Sequence, residues 1–287
     1  MSTPEFYANA KAYDIAFGDR DFVDECNFLE YALKEFGGKE FVGLKFAGLP
    51  NHQTLKLSNP TNSQTHKPSF LELAAGPAQH TREFARRGWR AVALDLSQDM
   101  LDYAQAGAAH DGVTIETTCA DMIDFTLSAP VAVAANLMES LSHLTTNEQV
   151  VAHLRAVSRN LLPGGVFVIE MAHPETIWRD SLPNFWTSTH ADGTEIEILF
   201  GAQDDPYDWI TQEWTVTTRL NIREPGLAER VVESHNNHRW YLAQELRALV
   251  DLSGAFSKQW WLGNMVVPPP DLATGTDCDR MIVVLQK

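Results

Sequence analysis

Hydrophobic positions change their period twice along this chain. Through the first 36 residues Tyr7, Tyr13, Phe17, Phe22, Phe28, Leu29 and Leu33 recur among charges in a helical pattern that Gly37-Gly38 stops. Residues 39–68 have no such period. Pro50, Asn51, Asn59, Pro60, Asn62 and Pro68 mark a polar connection, with short strand-like pieces around Phe41–Phe46 and Leu55–Leu57. From residue 69, short apolar runs alternate with amphipathic stretches. Ser69–Leu73, Arg90–Asp95, Val113–Thr118, Pro130–Asn136 and Val166–Glu170 predict strands. Between them lie three helices. One runs through Phe84 to Gly88; one is capped by Ser97 and carries Met100, Leu101 and Ala104. The third opens on a Thr146/Gln149 capping box and places Val150, Leu154, Val157 and Leu161 on one face. This alternation predicts a parallel sheet with right-handed crossovers. After residue 176 the period becomes two. Glu195–Leu199, Trp209–Ile222 and Arg230–Tyr241 predict antiparallel strands. A helix returns at Ala243–Leu252, and strands at Phe256–Leu262 and Arg280–Leu285 end the pattern.

Composition narrows the classes open to such a chain. With 287 residues, 44% of them hydrophobic, it can bury a large core. The longest apolar runs fall short of the about 20 residues a membrane helix needs, and Met1–Glu5 has no basic start or apolar stretch. The sequence therefore predicts no membrane partner and no secretory signal. A net charge of −16 argues against a nucleic-acid partner. Cys26, Cys119 and Cys278 form no CxxC pair, so no zinc site or disulfide framework is indicated, and a reducing cytoplasm is the simplest setting.

The chemistry concentrates in Leu71-Glu72-Leu73-Ala74-Ala75-Gly76 followed by Leu94-Asp95-Leu96-Ser97. A strand ends near an acid, turns through small residues and enters a helix; a second strand ends in an acid 19 positions after Gly76. In doubly wound sheets that second acid holds ribose hydroxyls. Each residue alone also fits an ordinary turn; the pair favours a nucleotide site. Ala74 and Gln79 break the dinucleotide glycine pattern, and Glu72 would repel a phosphate, so a ribose ligand with positive charge and no phosphate suits the segment better.

These residues resemble those of class I S-adenosylmethionine-dependent methyltransferases. The matching parts are Glu72-Leu-Ala-Ala-Gly76, Leu94-Asp95 through Met100-Leu101, Ala120-Asp121-Met122 and Leu161-Leu162-Pro163-Gly164-Gly165. The resemblance implies a Rossmann-like α/β fold: a seven-stranded, mostly parallel sheet with an antiparallel last strand. It implies a core at 69–175 and 241–287, an inserted antiparallel lid at 176–240 and an N-terminal helical cover and loop at 1–68. It implies that S-adenosyl-L-methionine is the cofactor. Gly76 and Ala74 would lie along its methionine part, Asp95 would hold the ribose, and Asp121 and Met122 would take the adenine. Asn136 and Leu137 would flank the methyl donor, and Tyr13, Glu72, Leu96 and Met100 complete the expected binding set. Ala74 and Ala78 stand where the family often has glycine. Asn136 through His143-Leu144, Ser234 through Arg239 and the N-terminal cover also resemble small-molecule methyltransferases with an antiparallel lid, of the glycine and nucleotide-sugar amine type.

His143 and His238 are the candidate catalytic groups, as a base, as orienting groups or as pocket wall. His235 and His238 would point to opposite faces of a strand, which argues against a shared metal. Trp178, Trp186, Tyr207, Trp209, Trp214 and Trp240 are candidates for lining an acceptor pocket or for plain packing. The resemblance implies a small-molecule acceptor, amine or hydroxyl, and leaves homo-oligomerisation open. Two other readings also stay open: a non-catalytic S-adenosylmethionine-binding protein, and a nicotinamide-dependent oxidoreductase, which Gln79 and Glu72 disfavour.

Overall fold

The computed structural model describes residues 9–41, 68–173, 183–275 and 278–287. Tyr7, the connection at 42–67 with its expected strand-like pieces, and Trp178 lie outside the described residues. Strands β1 (Ser69–Leu73), β2 (Arg90–Asp95), β3 (Glu116–Cys119), β4 (Val131–Asn136) and β5 (Leu161–Ala172) precede β6 (Asn184–Thr189), β7 (Glu195–Phe200), β8 (Glu213–Arg223) and β9 (Arg230–Arg239); β10 (Lys258–Gly263) and β11 (Arg280–Gln286) follow. The main sheet has the order β10-β11-β5-β4-β1-β2-β3, with β11 antiparallel to both neighbours and β1 to β5 parallel. β1 and β4 are buried along their whole length, which is why they read as continuous apolar runs.

Helices α1 (Ala10–Phe17), α2 (Phe22–Phe36), α3 (Gln79–Arg86), α4 (Gln98–His110), α5 (Asn147–Asn160) and α6 (Ala243–Ser253) cover the sheets. Phe28, Leu29 and Leu33 of α2 and Phe84 of α3 pack with Phe70, Val133 and Val168. Leu154 and Val157 of α5 and Leu246 and Leu249 of α6 pack on the other face with Leu71, Leu73, Phe167 and Ile169. The second sheet, β6-β7-β8-β9, is antiparallel throughout and lies between β5 and α6 in the chain. Ile196, Ile198, Leu220, Ile222 and Val232 on its inner face bury Ala12 and Ala16 of α1.

Several boundaries differ from the expected ones. The first helical stretch is two helices, because Asp21 caps a new one by accepting the Asp24 N–H at 2.9 Å. The strand expected from Trp209 begins at Glu213. Asp208 accepts the N–H groups of Ile210 and Thr211 at 2.7 and 3.1 Å, and this side-chain turn overrides the apolar residues and leaves Trp209 72% exposed. β3 starts at Glu116 rather than Val113. β6 was not legible as a strand before the fold supplied β7 as its partner.

Candidate active site

The order of the main sheet reverses between β4 and β1, so their carboxyl ends open the crevice in which such sheets bind ligands. After Leu73 the chain turns through Ala74 (φ 50°), Gly76 (φ 50°) and Ala78 (φ 56°) before α3 begins. Only glycine takes this left-handed region without strain. The Gly76 N–H donates to Asp95 Oδ2 at 2.7 Å, and the Ser97 N–H donates to Asp95 Oδ1 at 2.8 Å. The acid ending β2 therefore clips the β1 turn to the start of α4. Burial raises the Asp95 pKa, and the N–H groups of Ser97 and Gly76 oppose the rise.

Other residues singled out in the sequence meet at this edge. Tyr13, on α1, lies over the turn: a methyl group added at Gly76 would sit 3.5 Å from its Cε1. Asp14 anchors the same helix, accepting from Gln79 Nε2 at 2.7 Å and the Tyr103 hydroxyl at 3.0 Å. Asn136 ends β4 fully buried; its Nδ2 donates to Met122 Sδ at 3.3 Å, and its Oδ1 has no partner among the described residues. Met122 belongs to the core cluster. Asp121 is exposed and accepts the Ile123 N–H at 2.9 Å. Leu96 is exposed on the rim, while Leu137 and Met100 are buried. Glu72 sits beneath the turn with its carboxylate already occupied. Oε2 takes the Thr81 N–H and hydroxyl at 2.9 and 2.6 Å, and Oε1 meets His80 Nδ1 at 2.9 Å.

His143 and His238 come together from the loop after β4 and the end of β9, with ring centroids 4.4 Å apart. His238 Nδ1 is 2.7 Å from Ser142 Oγ. Burial lowers the His143 pKa to about 4, and burial with the neighbouring His143 holds His238 well below its ordinary value. Both rings are neutral near pH 7. His235 is on the other face of β9, as the spacing predicts. Of the aromatic candidates, Trp214 and Trp240 pack beside this pair with tilted rings, centroids 4.4 Å apart, Tyr207 bridges to Trp214, and Trp186 donates instead to the Ala16 carbonyl at 2.7 Å.

A chain of buried charges beneath the site went unread in the sequence. His80 Nε2 is 2.6 Å from Glu25 Oε2, and Arg20 Nη2 reaches Glu25 at 2.7 Å and both oxygens of Glu170 at 2.9 Å. Burial opposes charge on His80, yet Glu72 and Glu25 push it up to about 9. Arg20 Nε is buried and has no partner among the described residues. The available signal was Glu170 itself, a carboxylate inside the apolar run Val166–Ala172, which demands a cation from elsewhere. A narrow cavity of about 20 Å3, room for about one water, lies beside the turn between Tyr13, Phe17, Phe22, Glu72, Ala75 and Met138. A wider open depression of about 460 Å3, lined by Asp19, Arg20, Asp21, Val23, Glu83 and Arg86, holds none of the strand-end residues.

Comparison with known proteins bears on this edge directly. A family profile described as a methyltransferase domain matches residues 70–165. Residues 70–165 therefore resemble a methyltransferase domain. The matched stretch contains Gly76, Asp95, Asp121, Met122, Asn136 and His143; Tyr13 and His238 lie outside it. The dTDP-3-amino-3,4,6-trideoxy-alpha-D-glucopyranose N,N-dimethyltransferase of Streptomyces venezuelae is 30% identical over 106 residues, 36% of this chain and 41% of that protein. The N-demethylindolmycin N-methyltransferase of Streptomyces griseus is 25% identical over 118 residues, 41% of this chain and 49% of that protein. The chain thus aligns with less than half the length of these curated relatives. Solved structures extend the likeness of fold beyond the matched stretch. An S-adenosylmethionine-dependent methyltransferase from Clostridium acetobutylicum ATCC 824 matches with TM-score 0.69 over 98% of each chain at 14% identity. Streptomyces venezuelae DesVI matches with TM-score 0.68 over 99% of each chain at 17% identity.

Proposed function

We propose that this chain transfers a methyl group from S-adenosylmethionine to an amine nitrogen of a small-molecule acceptor. The observation that carries the reading is the clip between Gly76 and Asp95 at the switch point of a methyltransferase domain. The residues present suit that cofactor. A carboxylate accepts more bonds than the backbone uses at Asp95, leaving capacity for ribose hydroxyls. Arg20, whose buried Nε has no partner among the described residues, is the cation for the amino-acid carboxylate, and Asn136 Oδ1 is a buried acceptor with no donor among them. Gly76, Ala74 and Tyr13 take the methionine part, Asp121, Met122 and Leu96 the adenine, and Leu137 and Met100 support the edge. Glu72 acts from beneath through His80 and Thr81. When bound, the cofactor supplies a methyl group on a sulfonium already activated for in-line displacement. The protein's work is then positioning and exclusion of water.

The names of the two relatives, both N-methyltransferases, support nitrogen as the acceptor atom and a sugar-like or heterocyclic small molecule as its carrier. We assign residues 69–175 and 241–287 to the cofactor core and 176–240 to a lid over the acceptor. His143 and His238 face that side as neutral rings. A base held at about 4 is a poor match for general-base catalysis near neutrality, so the pair orients a nitrogen that has already lost its proton. Calorimetry tests the reading: S-adenosylhomocysteine binds the wild-type chain, and Asp95→Ala weakens binding by about 1.5–3 kcal/mol, the scale of hydrogen bonds to a charged group. Absence of binding to the folded wild type overturns it.

A further inference from the structure

Glu139, which none of the roles above uses, closes a ring of side chains that includes His143 and His238. It follows β4 by three residues, and both it and Met138 are left-handed without being glycine (φ 60° and 53°). Outliers of this kind persist where the surroundings over-determine them, and they cluster at ligand clamps. Here the Met138 N–H donates to Glu170 Oε2 at 2.8 Å, and the Ser142 N–H donates to the Glu139 carbonyl at 2.9 Å. From Glu139 the contacts run in a circuit. Its Oε2 accepts from Trp240 Nε1 at 3.4 Å; Trp240 meets Trp214 at a tilt, centroids 4.4 Å apart; Trp214 meets Phe200 edge-on at 5.9 Å. Phe200 meets His238 at 6.2 Å, His238 meets His143 at 4.4 Å, and His143 is four residues from Glu139 in the same turn.

Two further observations point to a ligand at this ring. Trp214 is 2% exposed, and its indole N–H has no partner among the described residues. The charges are also unequal. Glu72, His80, Glu25, Arg20, Glu170, Arg280 and Glu139 form one chain of contacts, in which four carboxylates share three cations. Glu139 stands at its end. It shares Arg280, at 3.0 Å, with Glu170 at 3.5 Å, and its other oxygen has the long indole bond. Burial accordingly raises the Glu139 pKa, with Arg280 opposing. A carboxylate short of positive charge beside a wall of aromatic faces is the arrangement that recognises alkylammonium ions.

We propose that Glu139 is the specificity residue of the acceptor site, pairing with the acceptor's cationic nitrogen beside Trp240 as it docks; the nitrogen then releases its proton to solvent water, and His143 and His238 orient the neutral amine. This rests on the amine reading above and names the residue that selects the amine. The bland alternative is a strap in which Glu139 only ties β11 to the lid through Arg280 and Trp240. The two differ in what they do to a small cation.

The experiment uses the full chain with S-adenosylhomocysteine added. Dimethylammonium chloride is the probe and tert-butyl alcohol the neutral control, each followed by saturation transfer to its methyl protons. Wild type is expected to bind the cation and not the alcohol. Glu139→Gln loses about tenfold or more in cation affinity, the scale of one hydrogen bond to a charged group, and keeps its affinity for S-adenosylhomocysteine. Trp240→Phe keeps the ring, removes the competing indole bond and binds the cation at least as well; it carries the test if Glu139→Gln does not fold. No cation binding by wild type, or full binding by folded Glu139→Gln, overturns the proposal. A chain that binds the cation through Glu139 but never binds S-adenosylhomocysteine would instead overturn the cofactor reading.

Discussion

At the scale of single residues, the site is defined by polar atoms whose partners are absent or shared. Arg20 is the sharpest case: its Nη2 serves Glu25 and Glu170, while its Nε is buried without a partner among the described residues. Full removal would leave Glu25 only His80 and Glu170 only Arg280 at 3.5 Å as cations, at a cost of about 3–5 kcal/mol for the broken buried pair, and would test folding rather than binding. Arg20→Lys keeps the charge and loses the planar fork. We expect it to fold and to bind S-adenosylmethionine about tenfold more weakly, a loss of one charge-assisted bond. Decarboxylated S-adenosylmethionine is the control. If its affinity falls equally, Arg20 does not hold the carboxylate. The histidine pair calls for a different readout. His238→Ala should leave S-adenosylhomocysteine affinity near native and raise the acceptor KM, with kcat falling by less than the 10²-fold or so of a lost general base. A fall beyond that at unchanged KM would restore His238 as the base.

At the scale of elements, the β1–α3 turn shows how physical constraint and sequence part company. Ala74 and Ala78 occupy left-handed conformations that cost an L residue about 1–2 kcal/mol. Ala78 is fully buried, so losing its methyl would cost contacts; Ala74 is only partly buried. Ala74→Gly should therefore stabilise the chain by about 1 kcal/mol, a rise of about 2–4 °C in Tm for a domain of this size. An unchanged or lower Tm would mean that the alanine methyl packs better than its backbone is strained. This turn, Asp95 and the strand order of the parallel sheet were legible because they depend on local period and on an acid at fixed spacing from a turn. Glu170 was legible only as an anomaly inside an apolar strand. Its partner Arg20 lies 150 residues away in a helix elbow that looked like one continuous helix. Trp209 failed for the opposite reason: its apolar neighbours suggested a strand, and Asp208 made a side-chain turn instead. The pairing of His143 with His238 lay between these cases. Each was a candidate alone, but only the fold places the end of β9 over the loop after β4.

At the scale of the whole molecule, the buried titratable groups divide into two sets with opposite effects on stability. His80, buried between Glu72 and Glu25, is pushed up to about 9. Its ordinary unfolded value is about 6.5, so its contribution is fully present below that pH and is lost as pH rises through about 9. His143 and His153 are both lowered by burial to about 4. For them the unfolded chain takes the proton first, so stability falls as pH drops from about 6.5 towards 4. Glu25 adds to the acid side: burial raises its pKa, but His80 and Arg20 lower it further, and its contribution disappears as it is protonated. The two limbs meet near pH 6.5, which is where the stability maximum is expected. Urea midpoints measured from pH 5 to pH 9.5 should trace a dome, and His80→Gln should flatten the alkaline limb while leaving the part of the acid limb set by His143 and His153 in place. His153→Gln should do the reverse, because burial outweighs both the Met122 carbonyl bonded to its Nδ1 and the nearby Asp121 charge and keeps the ring neutral. A wild-type midpoint that stays level between pH 7 and pH 9 would mean that His80 is neutral in the folded chain. The Glu72–His80–Glu25 contacts would then be ordinary hydrogen bonds, and the buried chain of charges would carry one cation fewer than the geometry assigns it.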